Sequence, residues 1–220
     1  MATTTIYGLF DRSSNISEKL NQECTSSPIP NVSFEDFAFF KEEKISLLFS
    51  GVLYNKEELL SFVGEKQLED AQLLWRLFQK ESYQGFKRIN GKFLIIVDDD
   101  ETTWVVRDRY GQGPLFYYTK DFYTNIFWQV KHFKDFEFKP HIDALGNYLM
   151  YSYIPSPLTS IEGLNKLTGG QVLIKDKAGF KTEVLFTFEE FTSVTIQIDE
   201  QEALEEYDRL FKLSIKRRIG

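Results

Sequence analysis

Few residues of this sequence are of a type and spacing that could do chemistry. Ser50-Gly51 closes an apolar run, Asp70 opens an amphipathic one, and Arg107-Asp108-Arg109 form the densest charged cluster in the middle of the chain. At Gly51 a backbone without Cβ permits close approach or a positive φ, so something is built at Ser50-Gly51. Asp70 falls in the first turn of its stretch, where a negative charge steadies a helix. Arg107, Asp108 and Arg109 read as structural, either as paired strand-end charges or as contacts to a further domain. The run Asp98-Asp99-Asp100-Glu101 could hold a cation, but a solvated turn explains it better. His132 and His141 have no cysteine or carboxylate partner at a metal-ligand spacing, so no metal site is expected.

The elements that must position these residues are mostly strands. Thr5 to Phe10 reads as a first strand, broken at Asp11-Arg12-Ser13-Ser14-Asn15. Residues Cys24 to Ser33 are rich in Ser, Thr, Pro and Asn and read as a loop. Ile45 to Ser50 is a strand running into Gly51. Leu73, Leu74, Leu77 and Phe78 recur at helical spacing between Glu69 and Gln79. Phe93 to Val97, Trp104 to Val106, Leu115 to Tyr118 and Ile126 to Trp128 read as a four-stranded antiparallel meander, with Gly111-Gln112-Gly113-Pro114 turning the chain before its third strand. A helix is expected from Ile142 to Met150, ended by Tyr153-Ile154-Pro155-Ser156-Pro157. Gln171 to Ile174 and Thr182 to Phe186 form a hairpin across Asp176-Lys177-Ala178-Gly179. Glu200 to Arg218 is a closing helix with Ala203, Leu204, Tyr207, Leu210, Phe211 and Ile215 on one face. Lys216-Arg217-Arg218 suit the negative end of that helix better than a phosphate site. A helix of this kind, with little sequence left to cover its apolar face, would more naturally open another domain.

Composition sets the outer limits. With 42% hydrophobic and 27% charged residues the chain has the balance of an ordinary globular protein. Its 21 Phe and 11 Tyr favour pleated, half-buried surfaces and therefore sheet. A formal net charge of -7 disfavours nucleic acid as the main partner, because phosphate binding draws on clustered Lys and Arg. A single cysteine, Cys24, excludes an intrachain disulfide and suits a reducing compartment. Met1 to Ile6 carries neither a basic residue nor an apolar stretch, and no later run approaches a membrane span, so a cytoplasmic protein with no membrane partner is expected.

Several motifs, in order, carry a resemblance. They are Gly51-Val52-Leu53-Tyr54-Asn55-Lys56-Glu57-Glu58-Leu59, then Glu69-Asp70-Ala71-Gln72, Asn90-Gly91-Lys92-Phe93, and Arg107 to Tyr118. Tyr153 to Pro157 with Ile161 to Gly170 follow. Together they resemble the N-terminal, class II glutamine amidotransferase domain of the asparagine synthetase family. The likeness extends over roughly Phe49 to Phe186, and ordered motifs are far more specific than any single one. The resemblance implies an α+β fold of the N-terminal nucleophile hydrolase type, a four-layer αββα sandwich of two antiparallel sheets. It divides the chain into an amidotransferase-like domain at 1–188 and, at 189–220, a linker and the first helix of an asparagine synthetase-like domain. The pyrophosphate loop of such a domain, Ser-Gly-Gly-x-Asp-Ser, does not occur in the sequence. ATP and magnesium, expected for that synthetase part, are therefore not assigned to any residue here.

The same resemblance implies where the glutamine chemistry should sit. In the family a cysteine at a processed N-terminus attacks, with its own α-amino group as base, and the two must lie within hydrogen-bond reach. Alignment of the first strand places Tyr7 at the cysteine position, followed by Gly8. A tyrosine phenol titrates near about 10 and is a poor nucleophile at neutral pH. Loss of Met1 would expose Ala2, which has no nucleophilic atom. Cys24 would need cleavage before it, and trimming to Thr3, Thr4 or Thr5 lacks any processing signal. Ser50-Gly51 stands where the family has an Asn-Gly oxyanion pair, and Asp70 matches the residue that holds the substrate α-amino group. No arginine beyond Arg12 occurs from Asp11 to Lys44 to clamp a substrate carboxylate. The resulting expectation is a catalytically inactive amidotransferase-like domain supporting an ATP-dependent, amide-forming synthetase, as in relatives that make β-lactams or cyclise peptides. Its expected partner is its own C-terminal synthetase domain, with a homodimer allowed. An active amidotransferase with a non-cysteine nucleophile, or a stand-alone binding or scaffolding module, remain the alternatives.

Overall fold

The computed structural model describes residues 38–118, 138–187, 189 and 197–219, together with the backbone of three strands at 6–9, 32–34 and 122–124. Eleven strands are described: β1 (Ile6–Leu9), β2 (Val32–Phe34), β3 (Ala38–Glu42), β4 (Ile45–Leu53), β5 (Gly91–Asp98), β6 (Thr103–Arg107), β7 (Phe116–Tyr118), β8 (Phe122–Thr124), β9 (Leu164–Lys166), β10 (Gln171–Asp176) and β11 (Gly179–Val184). The helices are α1 (Lys56–Val63), α2 (Asp70–Glu81), α3 (Ile142–Tyr151) and α4 (Glu200–Ile219), with a 3-10 segment at Ser82–Arg88. The strands form two sheets, β11-β10-β6-β5-β4-β3 and β2-β1-β8-β7-β9, and every recorded pairing is antiparallel. The fold is α+β, with two packed antiparallel sheets as expected.

The residues of β4 and β5 show why the larger sheet is central. Leu47, Leu48 and Phe49, like Ile95, Ile96 and Val97, are all buried although neighbours on a strand point to opposite faces. Both faces are therefore covered. Leu47, Phe49, Ile95 and Val97 pack with Leu59 of α1 and with Leu73, Leu74 and Leu77 of α2. Leu48, Ile96, Val105 and Leu173 pack on the other side with Leu115, Tyr117 and Leu167 of the second sheet and its flanks. Each such side chain, fully buried, contributes about 1.5–3 kcal/mol of transfer free energy. Among the described residues the layers thus run helices, six-stranded sheet, five-stranded sheet.

Three expectations need correction. The four-stranded meander is two hairpins in two different sheets: β5 and β6 belong to the larger one, β7 and β8 to the smaller. The reason is that the outer edge of β6 is taken by β10, with Val172 opposite Val106, so the chain after Arg107 must cross to the other layer. The strand that pairs with β7 is Phe122–Thr124, and the expected strand at Ile126 to Trp128 lies outside the described residues. The loop expected to reach Ser33 gives way at Val32, where β2 begins. The strand expected to end at Phe186 ends at Val184, because the N–H groups of Leu185 and Phe186 both donate to the Gly170 carbonyl.

Candidate functional site

Ser50 and Gly51 sit inside the β4–β5 ladder, opposite Leu94 and Phe93. Gly51 has φ +145°, and a Cβ there would lie 2.0 Å from the Lys92 carbonyl oxygen and 2.8 Å from Phe93 Cα. Both expectations for this glycine, close approach and positive φ, are met. Alternation places the Ser50 side chain on the face of Leu48, toward the second sheet, whereas Phe49 and Leu53 face the helices. The Tyr54 N–H donates to the Asn90 carbonyl at 2.8 Å, so even-numbered N–H groups of β4 point to β5. By the same alternation the Gly51 N–H points to the side of β3, beyond Ala38, which pairs with Phe49.

Asp70 opens α2, and Lys56 opens α1. Their side chains form an ion pair at 2.6 Å that is about one-third exposed on each side, at 39% and 32%. Asp70 thus has an ammonium partner from its own chain, and it belongs to the helix layer while the Ser50 side chain faces the sheet interface. Lys56 is the residue that sequence reasoning missed. Its only signal was its place directly after Asn55 at the start of a short helix. Asn55 is buried and fixes that start: its Oδ1 accepts the Asn90 N–H at 2.9 Å, and its Nδ2 donates to the Arg88 carbonyl at 2.9 Å and to Glu58 at 3.2 Å.

Tyr7 lies within β1, the strand between β2 and β8, opposite Ser33 on one side and Thr124 on the other. Ile6 precedes it in the same strand, opposite Phe34. Cys24, Thr3, Thr4, Thr5 and His132 lie outside the described residues. His141 caps α3, its Nδ1 accepting the Ala144 N–H. Among the described residues no three His, Cys, Asp or Glu side chains gather as metal ligands do.

The Arg107-Asp108-Arg109 cluster folds onto its own loop. Asp108 is fully buried, and its carboxylate accepts the N–H groups of Tyr110 at 3.0 Å and Gln112 at 3.1 Å. Its backbone N–H donates to Phe93, and its carbonyl accepts from Gly111 and Gly170. The Arg107 guanidinium donates to the carbonyls of Leu167 and Gly111. Burial holds Arg107 below the usual arginine value, partly offset by Asp108. Arg109 lies over the Phe186 ring, 4.6 Å from its centre. The turn Asp98 to Glu101 is organised from within, Asp99 Oδ1 accepting the N–H groups of Glu101 and Thr102.

A family profile for the glutamine amidotransferase domain matches residues 38–186, more than half of the chain. The chain belongs to that family. This amidotransferase-like domain is 25% identical over 156 residues to the "Putative asparagine synthetase (glutamine-hydrolyzing) 2" of Methanocaldococcus jannaschii, covering 64% of this chain and 30% of that protein. It is 32% identical over 69 residues to the carboxyethyl-arginine beta-lactam-synthase of Streptomyces clavuligerus, covering 30% of this chain and 14% of the relative. The chain therefore spans less than a third of either curated relative. Among solved structures it resembles a glutamine aminotransferase class-II domain protein of Silicibacter pomeroyi, with TM-score 0.41 at 9% identity over 84% of this chain and 92% of that one. It also resembles the glutamine phosphoribosylpyrophosphate amidotransferase of B. subtilis, with TM-score 0.44 at 14% identity over 68% of this chain and 31% of that one. No helix among the described residues is long and apolar enough to cross a membrane.

Proposed function

We propose that this class II amidotransferase-like domain is catalytically silent toward glutamine and serves an ATP-dependent, amide-forming synthetase unit joined to it. The observation that carries the reading is the setting of Tyr7. A nucleophile of this class needs a free α-amino group on the same residue as its base, yet Tyr7 follows Ile6 in a strand whose pairing with β2 includes Ile6 itself. In this reading a peptide nitrogen takes the place of the basic amine. In the same reading, what survives of the site is the Gly51 N–H and the Asp70 carboxylate, the latter engaged by Lys56. The Gly51 N–H is a sound donor, but an oxyanion site needs its second donor too, and loss of one typically costs about 10²–10³ in rate. Ser50, with a shorter side chain and its own hydroxyl, replaces the amide that would supply it.

In this reading the synthetase unit binds ATP and magnesium, activates a carboxylate and passes it to an amine. This domain contributes a scaffold, and the segment 189–220 leads into that unit. The test is glutamate release from glutamine by the purified, mass-verified chain. The expected rate is that of the uncatalysed control. Release above that rate, abolished by substituting the N-terminal residue found by mass spectrometry, would refute the proposal and establish an unusual nucleophile.

A further inference from the structure

α4 carries acidic residues in its first turn, Glu200 and Glu202, and basic ones in its last, Lys216, Arg217 and Arg218. The helix dipole favours that order but selects no partner for the basic end. The fold supplies one. Arg217 pairs with Glu58 of α1 at 2.8 Å. The Arg218 guanidinium, which donates to the Ser214 carbonyl at 3.0 Å, lies 5.0 Å from the centre of the Tyr54 ring. Tyr54 and Glu58 stand on either side of Asn55 and Lys56, so the two arginines bracket the start of α1.

Glu58 offers one oxygen to each side of this contact. Its Oε1 accepts from Arg217, and its Oε2 accepts from Asn55 Nδ2 at 3.2 Å. Asn55 is buried and reaches across to Arg88 and Asn90, and the Tyr54 N–H donates to the same Asn90. The next residue, Lys56, holds Asp70 at the start of α2. One continuous set of contacts therefore runs from the last turn of α4 through Glu58 and Asn55 to the start of α1 and, through Lys56, to the start of α2.

The grip itself is weak. α4 has no buried residue, and the Glu58 side chain is 62% exposed. An exposed ion pair and an exposed cation–π contact each multiply a docked population by no more than about fivefold. The core does not depend on them, because Leu59 of α1 packs against the larger sheet and α2. We infer that α4 is an electrostatic strap, docked on the start of α1 through Arg217 and Arg218 and released when those contacts are lost, so that its position is felt at the Lys56–Asp70 pair. The strap acts whether or not the domain is silent toward glutamine.

Amide hydrogen exchange and amine footprinting of the full chain test it. In the double variant Arg217→Gln/Arg218→Gln, peptides covering residues 55–63 should exchange about three- to twentyfold faster, while peptides of β5 keep their wild-type protection. Acylation of Lys56 by an N-hydroxysuccinimide ester should rise about twofold or more relative to the exposed Lys44. Glu58→Gln, which keeps an oxygen for Asn55, and Arg217→Gln should each accelerate exchange of α1 about two- to fivefold. Combined, they should do no more than either alone, because both remove the same contact. Unchanged exchange of α1 in the double arginine variant overturns the inference, as does an equal acceleration in β5, which marks general loosening. Effects of Glu58→Gln and Arg217→Gln that multiply overturn it too. A Lys56 that keeps its wild-type acylation rate while α1 loosens overturns the link to Asp70.

Discussion

Replacing Gly51 with alanine adds one methyl group inside the β4–β5 ladder. That methyl carbon would start 2.0 Å from the Lys92 carbonyl oxygen and 2.8 Å from Phe93 Cα, both backbone atoms of β5. Backbone cannot swing aside as a side-chain tip can, so β4 and β5 must part locally by more than 1 Å to reach ordinary contact. Forcing a residue with Cβ into positive φ costs about 1–3 kcal/mol, and loosening two ladder hydrogen bonds adds about 0.5–1.5 kcal/mol each. Together the change should destabilise by about 2–6 kcal/mol, which lowers the melting temperature of a chain this size by about 5–20 °C. Gly64 provides the control. It also has positive φ, +83°, but a Cβ there meets nothing within 4 Å, so Gly64→Ala should cost only about 1–2 kcal/mol of conformational strain. Thermal and urea denaturation of both variants measure the contrast. A Gly51→Ala variant that melts within about 2 °C of wild type, or no lower than Gly64→Ala, would show that close approach of β5 is not what this glycine is for.

Three further changes probe the surroundings. Asp108→Asn keeps the shape but turns an amide N–H toward the N–H donors of Tyr110 and Gln112, and should cost about 1–3 kcal/mol in urea denaturation. Leu77→Ala empties a fully buried position on α2 and should cost about 2–5 kcal/mol. The Tyr83 hydroxyl donates to Glu183 at 2.5 Å. That bond, then Lys181, hold the Glu183 carboxyl below the usual glutamate value, and the same bond, then burial, push the Tyr83 phenol up. A depressed carboxyl stabilises fully above the unfolded glutamate range and loses its contribution as pH falls through the folded value. A raised phenol stabilises fully below the unfolded tyrosine value and loses its contribution as pH rises through the folded one. Tyr83→Phe should therefore cost about 0.5–1.5 kcal/mol at neutral pH and flatten the pH dependence of stability at both ends, measured as urea midpoints across the pH range.

Local patterns were legible where the physics is local. The helical spacing of Leu73, Leu74, Leu77 and Phe78, the late hairpin at Asp176 to Gly179 and the glycine at 51 are each announced by a few adjacent residues, and each appears where expected. The continuous apolar run Leu94 to Val97 likewise announces a strand covered on both faces. Sheet membership was not legible. Nothing in Trp104 to Val106 or Leu115 to Tyr118 says that they belong to different sheets, because the pairing of β6 with β10 is decided by residues more than sixty positions away. α1 was passed over because its eight residues give too short a period to stand out, and its start is held by Asn55 reaching Arg88 and Asn90. The partner of Asp70 was hidden for the same reason: a contact between two helix starts has no sequence spacing of its own.

The relative sizes of the altered contacts rank their importance for the proposed silence. The Lys56–Asp70 pair is about one-third exposed, and ion pairs of that kind contribute about 0.2–1 kcal/mol. Displacing it would cost an incoming ammonium no more than about fivefold in affinity. Lys56→Met should accordingly improve binding of a free amino acid by about fivefold at most, read by titration calorimetry, and should produce no glutamate release. The proposed loss of a second oxyanion donor at Ser50 weighs more, about 2.7–4 kcal/mol of barrier. Restoring it with Ser50→Asn would still leave the reaction without an attacking group, since no donor can stabilise an oxyanion that never forms. The deficiency proposed at Tyr7 is of a different kind, because in that reading a nucleophile and its base are missing together and the remaining contacts have nothing to act upon. Repair must therefore begin at the first strand, with a cysteine at position 7 freed of the residues before it, and only in that background should Ser50→Asn raise the rate, by about 10²–10³. A comparable gain from Ser50→Asn in the otherwise unaltered chain would mean that attack proceeds from some other residue.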